Sequence, residues 1–168
     1  MKILKITFIL SFILFSSNFF AQSISGQVSL SGFPTKSVIK EATVVDLFKS
    51  FKEGSYKINF SFKADQVNKR NVVLFDLKTT IKLNGKTIHQ STRGGWPWLP
   101  GDMYVPIEAF DLIPGIQKVG IMPIPKLSPK RMDMALPKGD YDITLEMVSS
   151  SEGVKGEIKP LKFSFSVK

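Results

Sequence analysis

Four stretches of this chain alternate apolar and polar residues with a period of two. They are "YKINFSFK" with Ile58, Phe60 and Phe62; the run carrying Val73, Phe75, Leu77, Thr79, Ile81 and Leu83; "YDITLEM" with Tyr141, Ile143, Leu145 and Met147; and "LKFSFSV" with Leu161, Phe163, Phe165 and Val167. An extended strand points successive side chains to opposite faces, so this spacing gives each segment one dry side and one wet side. The second run ends at Asn84-Gly85, which supplies the two positive-φ positions of a type I′ hairpin turn. A two-residue loop there pairs Leu83 with Lys86, Ile81 with Ile88 and Thr80 with His89, and it expects His89 on the outer face.

Period-two patterning repeated this often predicts an all-β fold, two antiparallel sheets packed as a sandwich. "GQVSL" and "KVGIMPI" are weaker strand candidates and bring the count to about seven. One segment has a different period. In "VIKEATVVDLFKSFKEG", Val44, Leu47, Phe48 and Phe51 recur at helical spacing, with Glu41 near the start and Gly54 at the end, which predicts one short helix. Eight of the ten prolines fall between Pro97 and Pro137, so that part is expected to be a long proline-rich loop region with short edge strands. Within it "IEAFDLIPG" fits a single helical turn.

The first 21 residues have the layout of an export signal: Lys2 and Lys5, an apolar run from Ile6 to Phe15, and Ala21 at the cleavage position. The apolar run is short for a membrane span, and no cysteine follows it to take a lipid. Residues 22–168 then form a single domain of a size that supports one core. Its expected location is the periplasm or the cell exterior, and it does not span the membrane once the signal is removed. With no cysteine, the domain is held by hydrophobic burial, and thiol catalysis and thiolate metal sites are excluded. The formal charge of +9 becomes +7 without Lys2 and Lys5. Outside the cytoplasm that charge does not point to nucleic acid. The outward lysines Lys57, Lys63, Lys78, Lys82, Lys162 and Lys168 either spread over the solvated surface or converge on one basic face.

The densest chemistry lies in "RGGWPWLPGDMYVP". Trp96 and Trp98 either fold under the loop as a satellite core or form a proline-stiffened aromatic platform rimmed by Arg93, Asp102 and Tyr104. Such a platform suits a glycan or a protein partner. Catalytic signals are sparse. One histidine supports neither a nucleophilic triad nor the usual zinc sites, and no cofactor or metal motif is present. A carboxylate-dependent hydrolase built on Asp102, Glu108, Asp111 and Asp133 remains as a further alternative. The leading expectation is an exported, non-catalytic binding protein.

"LPKGDYDITLEM" followed by "LKFSFSV" resembles the last two strands of secreted bacterial immunoglobulin-like or fibronectin type III-like domains, in which a turn spaced like Pro137, Gly139 and Tyr141 opens the penultimate strand. That resemblance implies an immunoglobulin-like sandwich and no particular ligand. With "IEAFDLIP" ahead of it, the same tail is similar to lipid-recognition sandwiches that hold an acyl chain between their sheets. This second likeness implies a lipid carrier, with Phe60, Phe62, Phe75, Phe163 and Phe165 lining the cup beside a loop from Trp96 to Met122.

Overall fold

Side-chain alternation is realised in two facing sheets. The computed structural model describes residues 22–33, 37–39, 49, 53, 55–65, 72–110, 112, 115, 136–151 and 153–168. In chain order its elements are β1 (Ser23–Ser31), β2 (Ser37–Ile39), β3 (Lys57–Asp65), β4 (Val73–Leu83), β5 (Lys86–Trp98), β6 (Gly101–Val105), a 3-10 turn (Ile107–Phe110), β7 (Gly139–Ser149), β8 (Lys155–Lys159) and β9 (Leu161–Val167). One sheet has the order β6-β3-β1-β8 and the other β2-β9-β7-β4-β5. With β1, β3 and β6 taken as strands A, B and E, and β4, β5, β7 and β9 as C, C′, F and G, this is the strand order of an immunoglobulin-like sandwich. Nine strands fall among the described residues against the expected seven or so, and the short strands β2, β6 and β8 are not among the segments expected. Two of these lie parallel to a neighbour, β2 on β9 and β8 on β1, so the sheets are antiparallel except at these two strands.

The inward residues predicted from alternation make the core. Phe60, Phe75, Ile81, Tyr141 and Leu145 are fully buried. Phe60 stacks on Phe62 at 4.8 Å between ring centroids, and Phe75 meets both edge-on at 5.4 and 5.2 Å. These phenylalanines therefore contact one another. Tyr141 stacks on Phe165 at 4.8 Å, and its hydroxyl donates to the Pro137 carbonyl at 2.9 Å. A tyrosine that opens a strand and bonds back a few residues upstream is the tyrosine corner of such sandwiches. Burial pushes the Tyr141 phenol up to about 12.

Asn84 (φ 50) and Gly85 (φ 77) make the expected turn, with Leu83 opposite Lys86. Beyond it the register departs from the expectation. The pairing shifts between Lys82 and Ile81, leaving Ile88 as an extra residue, so His89 faces Ile81 and Gln90 faces Thr80. His89 is thus inward and half-buried rather than outward on the surface. A Cβ placed on Gly115 would come within 2.5 Å of its Cδ2, which shows how closely the chain after the 3-10 turn covers it.

Of the predicted helix, Val38 and Ile39 belong to β2 instead, because they pair with Ser166 and Val167. Lys49 is helical and accepts the Glu53 N–H at 2.8 Å, while Glu41, Val44, Leu47, Phe48, Phe51 and Gly54 lie outside the described residues. So do the export signal over residues 1–21, the "KVGIMPI" segment, and Asp111 and Asp133. Among the described residues no helix is long and apolar enough to cross a membrane.

Candidate functional site

The fourteen residues from Arg93 to Pro106 are mainly strand rather than loop. β5 runs through "RGGWPW" to Trp98, and β6 begins at Gly101 on the facing sheet. Pro97 is tolerated because β5 is an edge strand, where a missing N–H need not break a ladder. A second register shift places Gly94 and Gly95 opposite Asp76. Gly95 takes φ 72 and its N–H donates to Asp76 Oδ1 at 3.2 Å. The two bulges act together. The first turns His89, Ser91 and Arg93 toward Ile81, Thr79 and Leu77, and the second returns Trp96 and Trp98 to the inner face opposite Phe75 and Val73.

Trp96 and Trp98 are half-buried and stack at 6.5 Å, with Trp98 edge-on to Phe60 at 5.8 Å. The guanidinium of Arg93 lies 5.1 Å from the Trp96 ring, and its Nη1 donates to the Glu108 carbonyl at 2.7 Å. Buried Thr79 donates to the Phe110 carbonyl. The segment after β6, with Ile107, Ala109, Phe110 and Leu112 buried, is held against the inner side of β4 and β5 by these bonds. Among the described residues Trp98 Nε1 is buried without a hydrogen-bond partner. Both rings pack against the core on one side and stay partly exposed on the other.

Tyr104 and Asp102 do not join them. On β6, Met103 and Val105 face inward opposite Phe60 and Ile58, so Asp102 and Tyr104 point outward beside Ser61 and Asn59. Tyr104 is 69% exposed, the most exposed large apolar side chain among the described residues. It borders an open groove of about 580 Å³ whose lining includes Gln27, Asn59, Ser61 and Asp102. Register explains how three strands meet there. Ser61 pairs with both Gln27 and Asp102, and Asn59 pairs with both Ser29 and Tyr104. The Asn59 amide nitrogen donates to Ser31 Oγ at 3.2 Å and to the Lys57 carbonyl at 3.4 Å, which leaves Oδ1 as the acceptor. Lys57 Nζ lies 5.4 Å from the Tyr104 ring centroid.

The sequence therefore named two of the groove residues, Asp102 and Tyr104, and missed Gln27, Asn59 and Ser61. The signal for those three was the outward half of the alternation, "SISGQVSLS" and "KINFSFK", where the wet positions are serine and amide as well as lysine.

The outer face of the five-stranded sheet is built differently. Lys78 lies across from Glu146 and Lys82 from Asp142, while Ser164 and Ser166 donate to Asp142 and Asp140, each at 2.6 Å. Lys57 and Lys63 stand on one outer face and Lys78, Lys82 and Lys162 on the other, so these lysines do not form a single basic face. Among the described residues no group of three or more His, Asp or Glu side chains is placed to hold a metal ion.

No protein-family model matches this chain, and no curated protein matches it.

Proposed function

We propose that this chain is an exported, non-catalytic glycan-binding protein whose site is the groove on the outer face of β6, β3 and β1. The export signal supports the location. The observation that carries the reading is Tyr104, a ring left 69% exposed at the border of a groove whose lining includes amide, hydroxyl and carboxylate groups. Leaving a large apolar side chain in water forgoes roughly 1.5–3 kcal/mol. An exposed ring offers a stacking surface for a pyranose, and planar amide and carboxylate groups offer paired hydrogen bonds to neighbouring hydroxyls.

Arg93, Trp96 and Trp98 support this site from within: they anchor the β5 edge, from which the chain crosses to β6. The carrier reading draws no support from Phe60, Phe62 and Phe75, which pack on each other.

The test is binding of residues 22–168 to an immobilised set of neutral and acidic oligosaccharides, repeated with Tyr104→Ala and Asp102→Asn. Binding that falls at least about tenfold in each variant supports the groove. Binding unchanged by both would move the site elsewhere, and no binding to any glycan would remove the reading.

A further inference from the structure

Resting on that reading of the groove, we infer that its ligand is a linear, uncharged oligosaccharide laid across the strands and contacted over three sugar units. The register sets the shape of the floor. Tyr104, Asn59 and Ser29 form one row perpendicular to the strands, and Asp102, Ser61 and Gln27 form the next. Neighbouring strands are about 4.8 Å apart, and the rows, two residues apart, are separated by about 6.8 Å. An extended pyranose chain advances by roughly one strand spacing per unit, about 5 Å, so a chain crossing β6, β3 and β1 presents one sugar to each strand. The first stacks on Tyr104 beside Asp102. The second meets Asn59 and Ser61, and the third meets Ser29 and Gln27.

The charge of the face selects against ionic ligands. Apart from Asp102 the polar side chains lining the groove are the amides of Gln27 and Asn59 and the hydroxyls of Ser61 and Tyr104, and Phe60 and Met103 complete the lining. Among the described residues four lysines on this sheet's outer side, Lys57, Lys63, Lys155 and Lys159, share it with three carboxylates, Asp65, Asp102 and Glu157, so their charges nearly balance. A charged sugar stacked on Tyr104 lies between Asp102 and Lys57, one of each sign, so the face offers neither an acidic nor an amino sugar a uniform field of opposite charge. A polyanion such as a nucleic acid or an anionic membrane needs a strongly positive surface, which this face does not provide. Neutral hydroxyls need no such field.

Calorimetric titration of residues 22–168 tests the inference with cello-, xylo-, manno- and malto-oligosaccharides of one to six units, and with tetragalacturonate. In at least one neutral series the affinity is expected to rise at least about tenfold from one unit to three and then level off. It is also expected to change less than about twofold between roughly 0.05 and 0.5 M salt, since the contacts are uncharged. Gln27→Ala weakens the trimer and leaves the dimer unchanged, whereas Tyr104→Ala weakens every length. Preference for tetragalacturonate, affinity complete at one unit, or affinity still rising at six overturns this inference and leaves the glycan reading standing. If none of the oligosaccharides binds, both fall.

Discussion

The inner face of β5 and the outer face of β6 are joined by two residues, Leu99 and Pro100, yet they treat their aromatic rings in opposite ways. Trp96 and Trp98 turn between the sheets and rest against Phe60 and each other, and Arg93 covers what remains of Trp96. Tyr104 stands on the far side of its sheet in water. The chain crosses from one sheet to the other between them, and the strand parity on each side of the crossing decides the fate of each ring. Aromatic residues clustered in sequence therefore do not form one cluster in space. Stability should depend on the tryptophans, and recognition on the tyrosine.

The sharpest way to break this contrast is to truncate one ring of each kind. Trp98→Ala is expected to cost about 3 kcal/mol in a denaturant titration, because it removes a large side chain packed on Phe60. Tyr104→Ala should change stability by less than about 0.5 kcal/mol. Trp98→Phe sharpens the point. It keeps a ring in place and deletes the buried, unpartnered Nε1, so its cost should stay below about 1.5 kcal/mol. Equal losses for Trp98→Ala and Tyr104→Ala would mean that the two faces do not differ in the way described.

How much of this was legible in the sequence depended on whether local pattern or register decided the outcome. Alternation specified the inner faces of β3, β4, β7 and β9, because a half-buried strand has to repeat every two residues. It also located the turn at Asn84-Gly85. The side that His89 occupies was not legible, since one extra residue at Ile88 inverts the side chains from His89 to Arg93, and nothing local in "GKTIHQ" marks a bulge. "RGGWPW" looked like loop because proline and glycine usually interrupt strands. At a sheet edge both are accommodated, and edge position is a property of topology. The groove was half legible for the same reason. Asp102 and Tyr104 stood out by composition, whereas Gln27, Asn59 and Ser61 become a site only when β1, β3 and β6 are known to be neighbours.

A buried tyrosine extends the contrast to pH. Tyr141 is fully buried, with its phenol pushed up to about 12, and it donates to the Pro137 carbonyl. In the unfolded chain a tyrosine loses its proton near pH 10. Between about pH 10 and pH 12 the unfolded state therefore binds fewer protons than the folded state, and stability falls as the pH rises. The loss across that window should be about 2–3 kcal/mol, read from denaturation midpoints at stepped pH. Tyr141→Phe should remove this alkaline slope while lowering stability at neutral pH by about 1–2 kcal/mol, the cost of the lost bond and the stranded carbonyl. A slope that survives Tyr141→Phe would assign the alkaline transition to another group.

The smallest expected effect concerns the bulge that turns the tryptophans inward. Gly95 adopts φ 72, and a Cβ there would meet no atom within 4 Å, so the cost of Gly95→Ala is conformational rather than a clash. An alanine held in the left-handed region loses about 1–2 kcal/mol. Asparagine tolerates that region better, so Gly95→Asn should lose less than Gly95→Ala, and the difference separates backbone strain from crowding. The consequence for the rings can be read separately by tryptophan emission. If the bulge is what directs Trp96 and Trp98 between the sheets, emission in Gly95→Asn should stay blue-shifted and shielded from a soluble quencher, because the αL conformation is kept. Inserting one alanine after Gly95 places the new residue opposite Phe75 and inverts the parity of Trp96 and Trp98. Both rings are then forced outward or the end of β5 unpairs, and either outcome shifts the emission to the red. Emission unchanged by the insertion would show that the inward packing of the tryptophans, and not the Gly94-Gly95 bulge, sets the register of this edge.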